Sequence, residues 1–150
     1  MRPPLKRVNF CRGDKVEVCS KEEGFLGSYY EATIVSRPIL PALIVSHLDN
    51  GLYVVRYKNL LEDNESQPLT ETLYPKELRP LPPHVHASQF ALYQKVDAFD
   101  NDGWWVGSIT GRSGSHYYVY FSTTNEEIAY PSSHIRVHHE WVNGNWVFLN

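Results

Sequence analysis

The sequence predicts an all-β fold built from two small modules in tandem. Two stretches, residues 15–34 (KVEVCSKEEGFLGSYYEATI) and 95–109 (KVDAFDNDGWWVGSI), each begin with the apolar–polar alternation of a half-buried strand. Each alternation ends at an acidic, glycine-containing segment that favours a hairpin turn, and an aromatic pair then leads into a second strand. Aromatic residues make up 13% of the chain, and such residues favour strands and recognition surfaces.

The two stretches belong to a longer internal repeat. Phe10 and Phe90 open the matching segments FCRGDKVEV and FALYQKVDA, and VVRY in the first half answers YVYF in the second. Near the end of each copy, LYP (residues 73–75) answers AYP (129–131), and LR (78–79) answers IR (135–136). The first copy carries a longer connection, residues 36–50, which explains the unequal spacing. Two copies of one β module therefore fit the chain better than one irregular domain.

In the first copy, we predict strands near residues 15–20, 29–37, 52–57, 69–74 and 77–79. Residues 59–67 are polar and acidic and are predicted to form a loop, and Asn50 with Gly51 is predicted to form a tight turn. The apolar run 40–47 (LPALIVSH) fits either a strand extension or a turn of helix, because periodicity cannot decide at that length.

The boundary between the copies is predicted at the proline-rich segment 80–83 (PLPP). Proline donates no backbone hydrogen bond and cannot continue a strand ladder, so we expect modules at residues 1–83 and 84–150. In the second copy, strands are predicted near 95–99, 104–112, 117–122 and 127–130, with a turn at 112–115. The last residues, 138–148 (HHEWVNGNWVF), bring two more tryptophans that we expect to close the second module.

Composition limits the function classes. The formal net charge is −3 and there is no long basic run, which disfavours direct nucleic-acid binding and favours a cationic partner at the acidic turns. Cys11 and Cys19 are too few for a disulfide framework, so a reduced intracellular protein is expected. No apolar run predicts a membrane span, and the first residues lack the apolar core of a signal peptide.

The common enzyme signatures, among them GxSxG, GxxxxGK[ST], GxGxxG and HExxH, are absent from the sequence, so we do not expect an enzyme. The histidines lack a metal-ligand spacing with cysteine or carboxylate, and neither a metal nor a cofactor is expected. The aromatic residues near the turns at one end of each predicted sheet have two interpretations. They fill the core of small barrels, or some of them enclose a cation beside carboxylates.

Several ordered segments of the sequence resemble a known family of domains. The first copy, through GDKVEVCSKEEGFLGSYYEATIV, YVVRYKNLLEDNESQPLTETL and LRPLPP, is similar to the plant Agenet domain of the Tudor-like Royal superfamily. The second copy is similar through KVDAFDNDGWWVGSI, VYFSTTNEEIAY, IRVHHEW and NGNW. The resemblance implies two strongly bent five-stranded barrels packed in tandem. It also implies reading of methyl-lysine on histone tails, as in plant heterochromatin proteins that bind the lysine-nine-methylated histone H3 tail.

The resemblance also implies site residues. The cage expected in the first copy is Phe25, Tyr30 and Tyr57, with acidic peptide-binding loops at Glu22, Glu23, Glu62, Asp63 and Glu65. The alternative cage in the second copy is Phe99, Trp105 and Phe121, near Asp100, Asp102, Glu126 and Glu127. Ser20 matches Phe99 in the first copy, so Phe25 is taken as its substitute. Longer acidic loops favour the first copy.

The expected partner is a methylated histone H3 tail, bound in the nucleus at silenced heterochromatin by a monomeric reader. Two alternatives stay open. One is a scaffolding module that binds an unmodified protein segment with purely structural aromatics. The other is RNA binding, which the acidic balance disfavours.

Overall fold

The computed structural model describes residues 9–19, 22, 24–36, 51–85 and 89–148. Within those ranges the chain forms twelve β-strands and two three-residue 3-10 turns, without an α-helix. The predicted all-β class is confirmed. None of the described elements is a helix long and apolar enough to cross a membrane.

The chain divides into two compact units. Unit 1 comprises Met1–Cys19 and Tyr30–Leu81, and unit 2 comprises Ser20–Tyr29 and Pro82–Asn150. The strands in chain order are β1 (Lys15–Cys19), β2 (Ser28–Ser36), β3 (Tyr53–Leu61), β4 (Pro68–Leu73), β5 (Leu78–Pro80), β6 (Lys95–Asp100), β7 (Gly103–Ser113), β8 (His116–Phe121), β9 (Glu126–Pro131), β10 (Ile135–Val137), β11 (His139–Val142) and β12 (Asn145–Phe148).

Both units use the same five-stranded order. In unit 1 the order of pairing is β5-β1-β2-β3-β4, and in unit 2 it is β10-β6-β7-β8-β9. Five strands in each copy were expected. In the described part of the chain, however, β4 does not pair with β5 and β9 does not pair with β10, so neither sheet closes into a barrel by hydrogen bonding. Register shifts after Ile34 in β2 and after Ile109 in β7 mark irregularities, the kind of feature that bends a sheet.

Two of the predicted boundaries were wrong. Strand β3 continues to Leu61, into the segment predicted as a loop, where Leu61 pairs with Pro68 of β4. Pro80 was expected to stop the ladder, but it is the last residue of β5 and pairs with Val16 of β1. Strand β5 lies at the edge of the unit 1 sheet, where a missing N–H donor is tolerated. The ambiguous run 40–47 and Asn50 lie outside the described residues.

The turn between β6 and β7 is as predicted. Asp100 pairs with Gly103, and Asn101 and Asp102 between them have φ angles of 49° and 65°. Positive φ at both central residues is the geometry of a two-residue hairpin turn, and Asn and Asp tolerate it better than most residues.

The chain's last two strands form a separate hairpin, to which the sequence analysis assigned no strands. Strands β11 and β12 pair only with each other among the described strands, around a turn at Asn143 and Gly144, which have φ angles of 51° and 78°. The rings of Trp141 and Trp146 lie 5.0 Å apart across this hairpin. The Asn-Gly dipeptide is a strong hairpin signal, so this element was detectable from the sequence.

The internal repeat extends to individual hydrogen bonds. In unit 1 the backbone N–H of Phe10 donates to the Tyr53 hydroxyl, and the two rings meet edge to face at 5.7 Å. In unit 2 Phe90 and Tyr117 repeat both features, with rings 5.4 Å apart. Because all four side chains are buried, each unit fixes the segment before its first strand in the same way.

An ion pair with a buried carboxylate joins β1 to β5 in unit 1 and β6 to β10 in unit 2. Glu17 of β1 is 1% exposed and accepts two hydrogen bonds from the Arg79 guanidinium, at 3.0 and 2.7 Å. In unit 2, Asp97 is likewise 1% exposed and accepts one from Arg136 at 2.8 Å. The alternation predicted half-buried strands, but both faces of β1 and β6 are covered at these positions.

Unit 2 includes a segment from the first half of the sequence. Ser28 and Tyr29 pair with Trp105 and Trp104 of β7, and the N–H of Val106 donates to the Gly27 carbonyl at 2.9 Å. The repeat pattern did not predict this pairing, because it assigns residues 24–29 to the first copy. The β7 edge of unit 2 is therefore covered by a strand that comes from outside its own repeat.

The first prediction concerns the buried ion pair. Arg79→Met should lower the free energy of unfolding by about 3–5 kcal/mol, because Glu17 is left as an uncompensated buried charge. The double change Glu17→Leu with Arg79→Met should recover much of the loss, since no charge stays buried. Urea unfolding followed by circular dichroism measures both effects.

The matched control is Lys58→Met, which breaks the exposed ion pair between Lys58 and Glu31. Solvent screens this pair, so its loss should cost less than about 1 kcal/mol. If Arg79→Met and Lys58→Met lowered the free energy of unfolding equally, the buried pair would be no more important for stability than the exposed one.

The second prediction concerns residues 24–29, the inserted segment, which belong to the first repeat but lie in unit 2. A fragment of residues 84–150 lacks the strand that pairs with β7, and we expect it to melt below the intact chain. A synthetic peptide of residues 22–30 should raise the fragment's melting temperature by restoring these hydrogen bonds. The same peptide with Phe25→Ala should raise it less, because Phe25 stacks on Trp105. This role would be contradicted if the fragment had the same melting temperature as the intact chain and the peptide did not change it.

Candidate functional site

Unit 2 contains a cavity of about 250 Å³ at the end of its sheet, beside the β6–β7 turn. The residues that line it come from β6 to β9 and from the inserted segment: Gly24, Asp100, Asn101, Trp105, Phe121, Thr123, Thr124, Glu126, Ile128 and Tyr130. The cavity thus combines aromatic rings, carboxylates and small polar groups.

Three aromatic side chains on neighbouring strands form its apolar walls. Trp105 lies near the start of β7, Phe121 ends β8 and Tyr130 lies on β9. The rings of Phe121 and Tyr130 meet edge to face at 6.1 Å. The Trp105 indole N–H donates to the Asp100 carbonyl at 2.8 Å, which fixes the plane of its ring.

Close strand packing brings these walls together. Gly107 of β7 has no room for a Cβ atom, because one placed there would lie 2.5 Å from Val119 Cγ1 and 2.8 Å from the Tyr120 carbonyl oxygen. Any larger residue would push β7 away from β8. The glycine therefore helps hold Trp105 and Phe121 within reach of one ligand.

Asp100 connects several walls of the cavity. Its Oδ2 accepts a hydrogen bond from the Tyr130 hydroxyl at 2.6 Å, and its Oδ1 accepts one from the Asn101 backbone N–H at 2.9 Å. Burial, together with this bond to Asp100, raises the pKa of Tyr130 well above its ordinary value of 10. The phenol therefore remains a hydrogen-bond donor throughout the physiological range.

The cavity's charge is negative. Asp100 and Glu126 are carboxylates, and none of the described lining residues is a lysine or arginine. Rings that present their negative faces beside carboxylates favour a cation of moderate size over an anion or a neutral sugar. No group of three or more His, Cys, Asp or Glu side chains in the described ranges is arranged to hold a metal ion.

The second-copy residues named from the sequence divide into two groups. Trp105 and Phe121 line the cavity, but Phe99 packs on Trp104 at 5.1 Å and is not among the lining residues. Phe25, assigned to the first-copy cage, is 41% exposed, and its ring stacks on Trp105 with centroids 6.5 Å apart. It therefore extends the second-copy aromatic set.

The first-copy pair Tyr30 and Tyr57 lies on adjacent strands of unit 1. Tyr57 pairs with Ala32, two residues after Tyr30, so the two tyrosines are diagonal neighbours on one face. They are 5% and 6% exposed. The Tyr57 hydroxyl donates to the Glu71 carboxylate at 2.5 Å.

The acidic loop residues of the first copy are mostly at the surface. Asp63 and Glu65 are exposed in the turn after β3, where the Glu65 N–H donates to the Glu62 carbonyl at 2.8 Å. Glu22 is exposed and belongs to unit 2. Glu23 and Ser20 lie outside the described residues.

The cages predicted from the sequence contain no residue of the fourth strand, so Tyr130 is not among them, and the predicted alignment of the two repeats is one residue out at this strand. Matching LYP to AYP made Tyr74 the counterpart of Tyr130. In the sheets, Tyr117 pairs with Tyr130 whereas Tyr53 pairs with Leu73, so the counterpart of Tyr130 is Leu73. A shift of one residue moves a side chain to the opposite face, and Tyr74 is indeed 47% exposed.

A second polar cluster surrounds His138 in unit 2. The imidazole is fully buried, with Nδ1 2.7 Å from Asp97 Oδ1 and Nε2 2.6 Å from Glu140 Oε1. Burial alone lowers its pKa, but the hydrogen bonds and charges of Asp97 and Glu140 outweigh burial and raise the pKa of His138 above 6.5. In its charged form the ring donates to both carboxylates at once.

Comparisons with known proteins match both halves of the chain. The family model for the Agenet domain matches residues 13–83. The Arabidopsis thaliana protein AGENET DOMAIN (AGD)-CONTAINING P1 is 35% identical over 143 residues, covering 95% of this chain and 26% of that protein. DUF724 domain-containing protein 3 of the same plant is 31% identical over 147 residues, covering 95% of this chain and 20% of that protein. This chain thus spans about a quarter or a fifth of these relatives.

Two solved structures cover nearly the whole chain. The crystal structure of Arabidopsis thaliana AGDP1 AGD34 superposes with a TM-score of 0.82 at 32% identity, covering 93% of this chain and 90% of that one. The crystal structure of ADCP1 tandem Agenet domain 3-4 gives a TM-score of 0.78 at 28% identity, covering 94% and 89%.

The third prediction follows from His138. Because its folded-state pKa is raised, its charged form stabilises the fold fully below pH 6.5, and this contribution disappears as pH rises through the raised value. The free energy of unfolding of wild type minus that of His138→Gln should therefore shrink between pH 6 and pH 9. Urea unfolding at several pH values measures it. His116→Gln, a change at an exposed histidine, serves as control. A difference that grows with pH would refute the assignment.

Proposed function

This chain belongs to the Agenet family of protein and peptide interaction modules, and we propose that it reads a methylated lysine on a histone H3 tail. The methylammonium group occupies the cavity of unit 2, between Trp105, Phe121 and Tyr130. Asp100 and Glu126 supply the negative charge beside it. The chain acts as a binding module rather than as an enzyme.

The observation that supports this proposal is the convergence of three rings and two carboxylates around one small cavity. Each ring offers a negative π-face to a cation, worth about 0.5–2 kcal/mol according to how fully the cation is desolvated. A cavity of about 250 Å³ is large enough for a dimethyl- or trimethylammonium group with part of its methylene chain.

The same chemistry favours methylated over unmodified lysine. An unmodified ammonium is compact and strongly hydrated, so entering an aromatic cavity costs it several hydrogen bonds to water. Methylation keeps the charge while removing N–H donors and adding apolar surface. The rings gain contact with the methyl groups, and less hydration is lost.

The histone tail as partner is supported by charge and by the resemblance. A basic tail complements a chain with a net charge of −3, whose turns carry Glu22, Glu62 and Asp63. Resemblance to plant Agenet readers of heterochromatin favours the lysine-nine mark of histone H3. On this proposal the protein acts in the nucleus, on chromatin, in transcription silencing.

The geometry favours the second-copy site over the first-copy cage expected from the sequence. That expectation depended on the acidic loops of the first copy and on tryptophans that would cover the second sheet. Trp141 and Trp146 contact each other in the terminal hairpin, and neither is among the residues that line the cavity. Phe25, the residue expected to replace the missing first-strand aromatic of that cage, stacks on Trp105. The pair Tyr30 and Tyr57 becomes the alternative that the experiment must exclude.

The fourth prediction tests the site with an apolar replacement that lacks a π-face. Trp105→Leu should weaken binding of an H3 tail peptide dimethylated at lysine nine at least about tenfold, a loss of about 1.4 kcal/mol. Trp146→Leu is the matched control, because it removes a half-buried indole of the same unit outside the cavity. Titration calorimetry with the methylated and unmodified peptides provides the affinities, and circular dichroism verifies folding.

Two results would overturn the proposal in different ways. Equal affinity of wild type for the methylated and unmodified peptides would replace the reader function with scaffolding of an unmodified segment. Full binding by Trp105→Leu, with loss of binding in a folded Tyr57→Leu variant, would move the site to the first copy.

A further inference from the structure

We propose that Tyr130 is a positioning residue that holds the Asp100 carboxylate in the cavity wall, where it accepts the remaining N–H of a dimethylammonium ligand. This inference depends on the proposed function and adds a determinant of specificity to it. Tyr130 contributes its ring to the cavity and its hydroxyl to Asp100, so one side chain has two separable roles.

The geometry of the bond supports a positioning role. Tyr130 is 6% exposed, and its hydroxyl reaches Asp100 Oδ2 at 2.6 Å. Asp100 is the last residue of β6, directly before a turn with two positive φ angles. With Asn101 N–H on the other carboxylate oxygen, both oxygens are oriented and each keeps a lone pair for a ligand.

Asp100 also links Tyr130 to the indole wall. Its carbonyl accepts the Trp105 indole N–H at 2.8 Å, while its carboxylate accepts the Tyr130 hydroxyl. One aspartate thus fixes the relative placement of two aromatic walls. Burial and the bond to Asp100 raise the pKa of Tyr130 above its ordinary value, which agrees with a phenol that donates to a carboxylate.

The two copies differ at this position. Leu73 of unit 1 occupies the register position that Tyr130 has in unit 2, and leucine has no hydroxyl to hold a carboxylate. The Tyr57 hydroxyl of unit 1 meets a different carboxylate, Glu71, from the neighbouring strand. Among the described residues of the two repeats, therefore, unit 2 has a tyrosine on its fourth strand that bonds the carboxylate at the end of its first strand, and unit 1 does not.

The ligand's N–H count separates positioning from simple ring packing. A dimethylammonium group keeps one N–H donor for Asp100, whereas a trimethylammonium group keeps none. Loss of the Tyr130 hydroxyl should therefore weaken the dimethylated ligand selectively. Loss of general packing should weaken both ligands alike.

The fifth prediction compares Tyr130→Phe with Tyr117→Phe on two probes, H3 tail peptides dimethylated or trimethylated at lysine nine. Tyr130→Phe should bind the dimethylated peptide about fivefold more weakly and change affinity for the trimethylated peptide less than about twofold. Tyr117→Phe removes another buried hydroxyl of unit 2, one bonded to the Phe90 N–H away from the cavity, and should leave both affinities unchanged. Titration calorimetry measures the affinities, and thermal melting monitors folding.

A double-mutant cycle checks the coupling directly. Asp100→Asn combined with Tyr130→Phe should lose little more affinity for the dimethylated peptide than Asp100→Asn alone, because the Tyr130 hydroxyl acts through the Asp100 carboxylate. Additive losses of affinity in the double variant would overturn the inference. So would a Tyr130→Phe variant that loses affinity equally for the two peptides, or one that loses no affinity for either. If wild type does not distinguish methylated from unmodified peptide, the proposed function itself fails; wild-type discrimination with an unaffected Tyr130→Phe removes this inference alone.

Discussion

Each five-stranded sheet depends on an ion pair between a buried carboxylate and an arginine, which joins β1 to β5 in unit 1 and β6 to β10 in unit 2. Ions taken out of water are costly, and the cost is recovered only when partners meet with good geometry. Glu17 with Arg79, and Asp97 with Arg136, meet this condition with hydrogen bonds of 2.7–3.0 Å. A slip of one residue in β1 against β5 would leave buried Glu17 and Arg79 unpaired, and a slip in β6 against β10 would move Arg136 away from buried Asp97. The pairs therefore specify register as well as contributing stability.

In unit 2 this constraint extends to the cavity. Asp97 bonds both Arg136 and His138, which ties β6 to the segment of β10 and the residue that follows it. Three residues later the same strand ends at Asp100, whose carboxylate and carbonyl organise Tyr130 and Trp105. The Arg136 guanidinium also lies over the Trp104 ring, 4.2 Å from its centroid, next to Trp105 on β7. The cavity residue Asp100 thus lies on the same strand as the polar cluster of Asp97, Arg136 and His138.

The repeat separates what the two copies share from what distinguishes them. The edge-to-face pairs Phe10–Tyr53 and Phe90–Tyr117 and the buried ion pairs occur in both units, so they belong to the common frame. The rims differ, because Leu73 stands in unit 1 where Tyr130 stands in unit 2. Duplicated modules can keep one frame and change their ligand chemistry through few rim positions, since rim residues carry little of the core packing.

Local patterns in the sequence determined the all-β class, most strand positions, the β6–β7 turn and the repeat, because alternation and turn chemistry act over a few residues. They also selected Trp105 and Phe121 as aromatics at a rim. Only the tertiary structure decided which partners meet across the chain. Residues 24–29 pair with β7, Phe25 stacks on Trp105, and Tyr130 rather than Tyr74 faces inward. Strand register and long-range packing fix these contacts, and a one-residue shift that sequence similarity scarcely penalises reverses the face of every side chain.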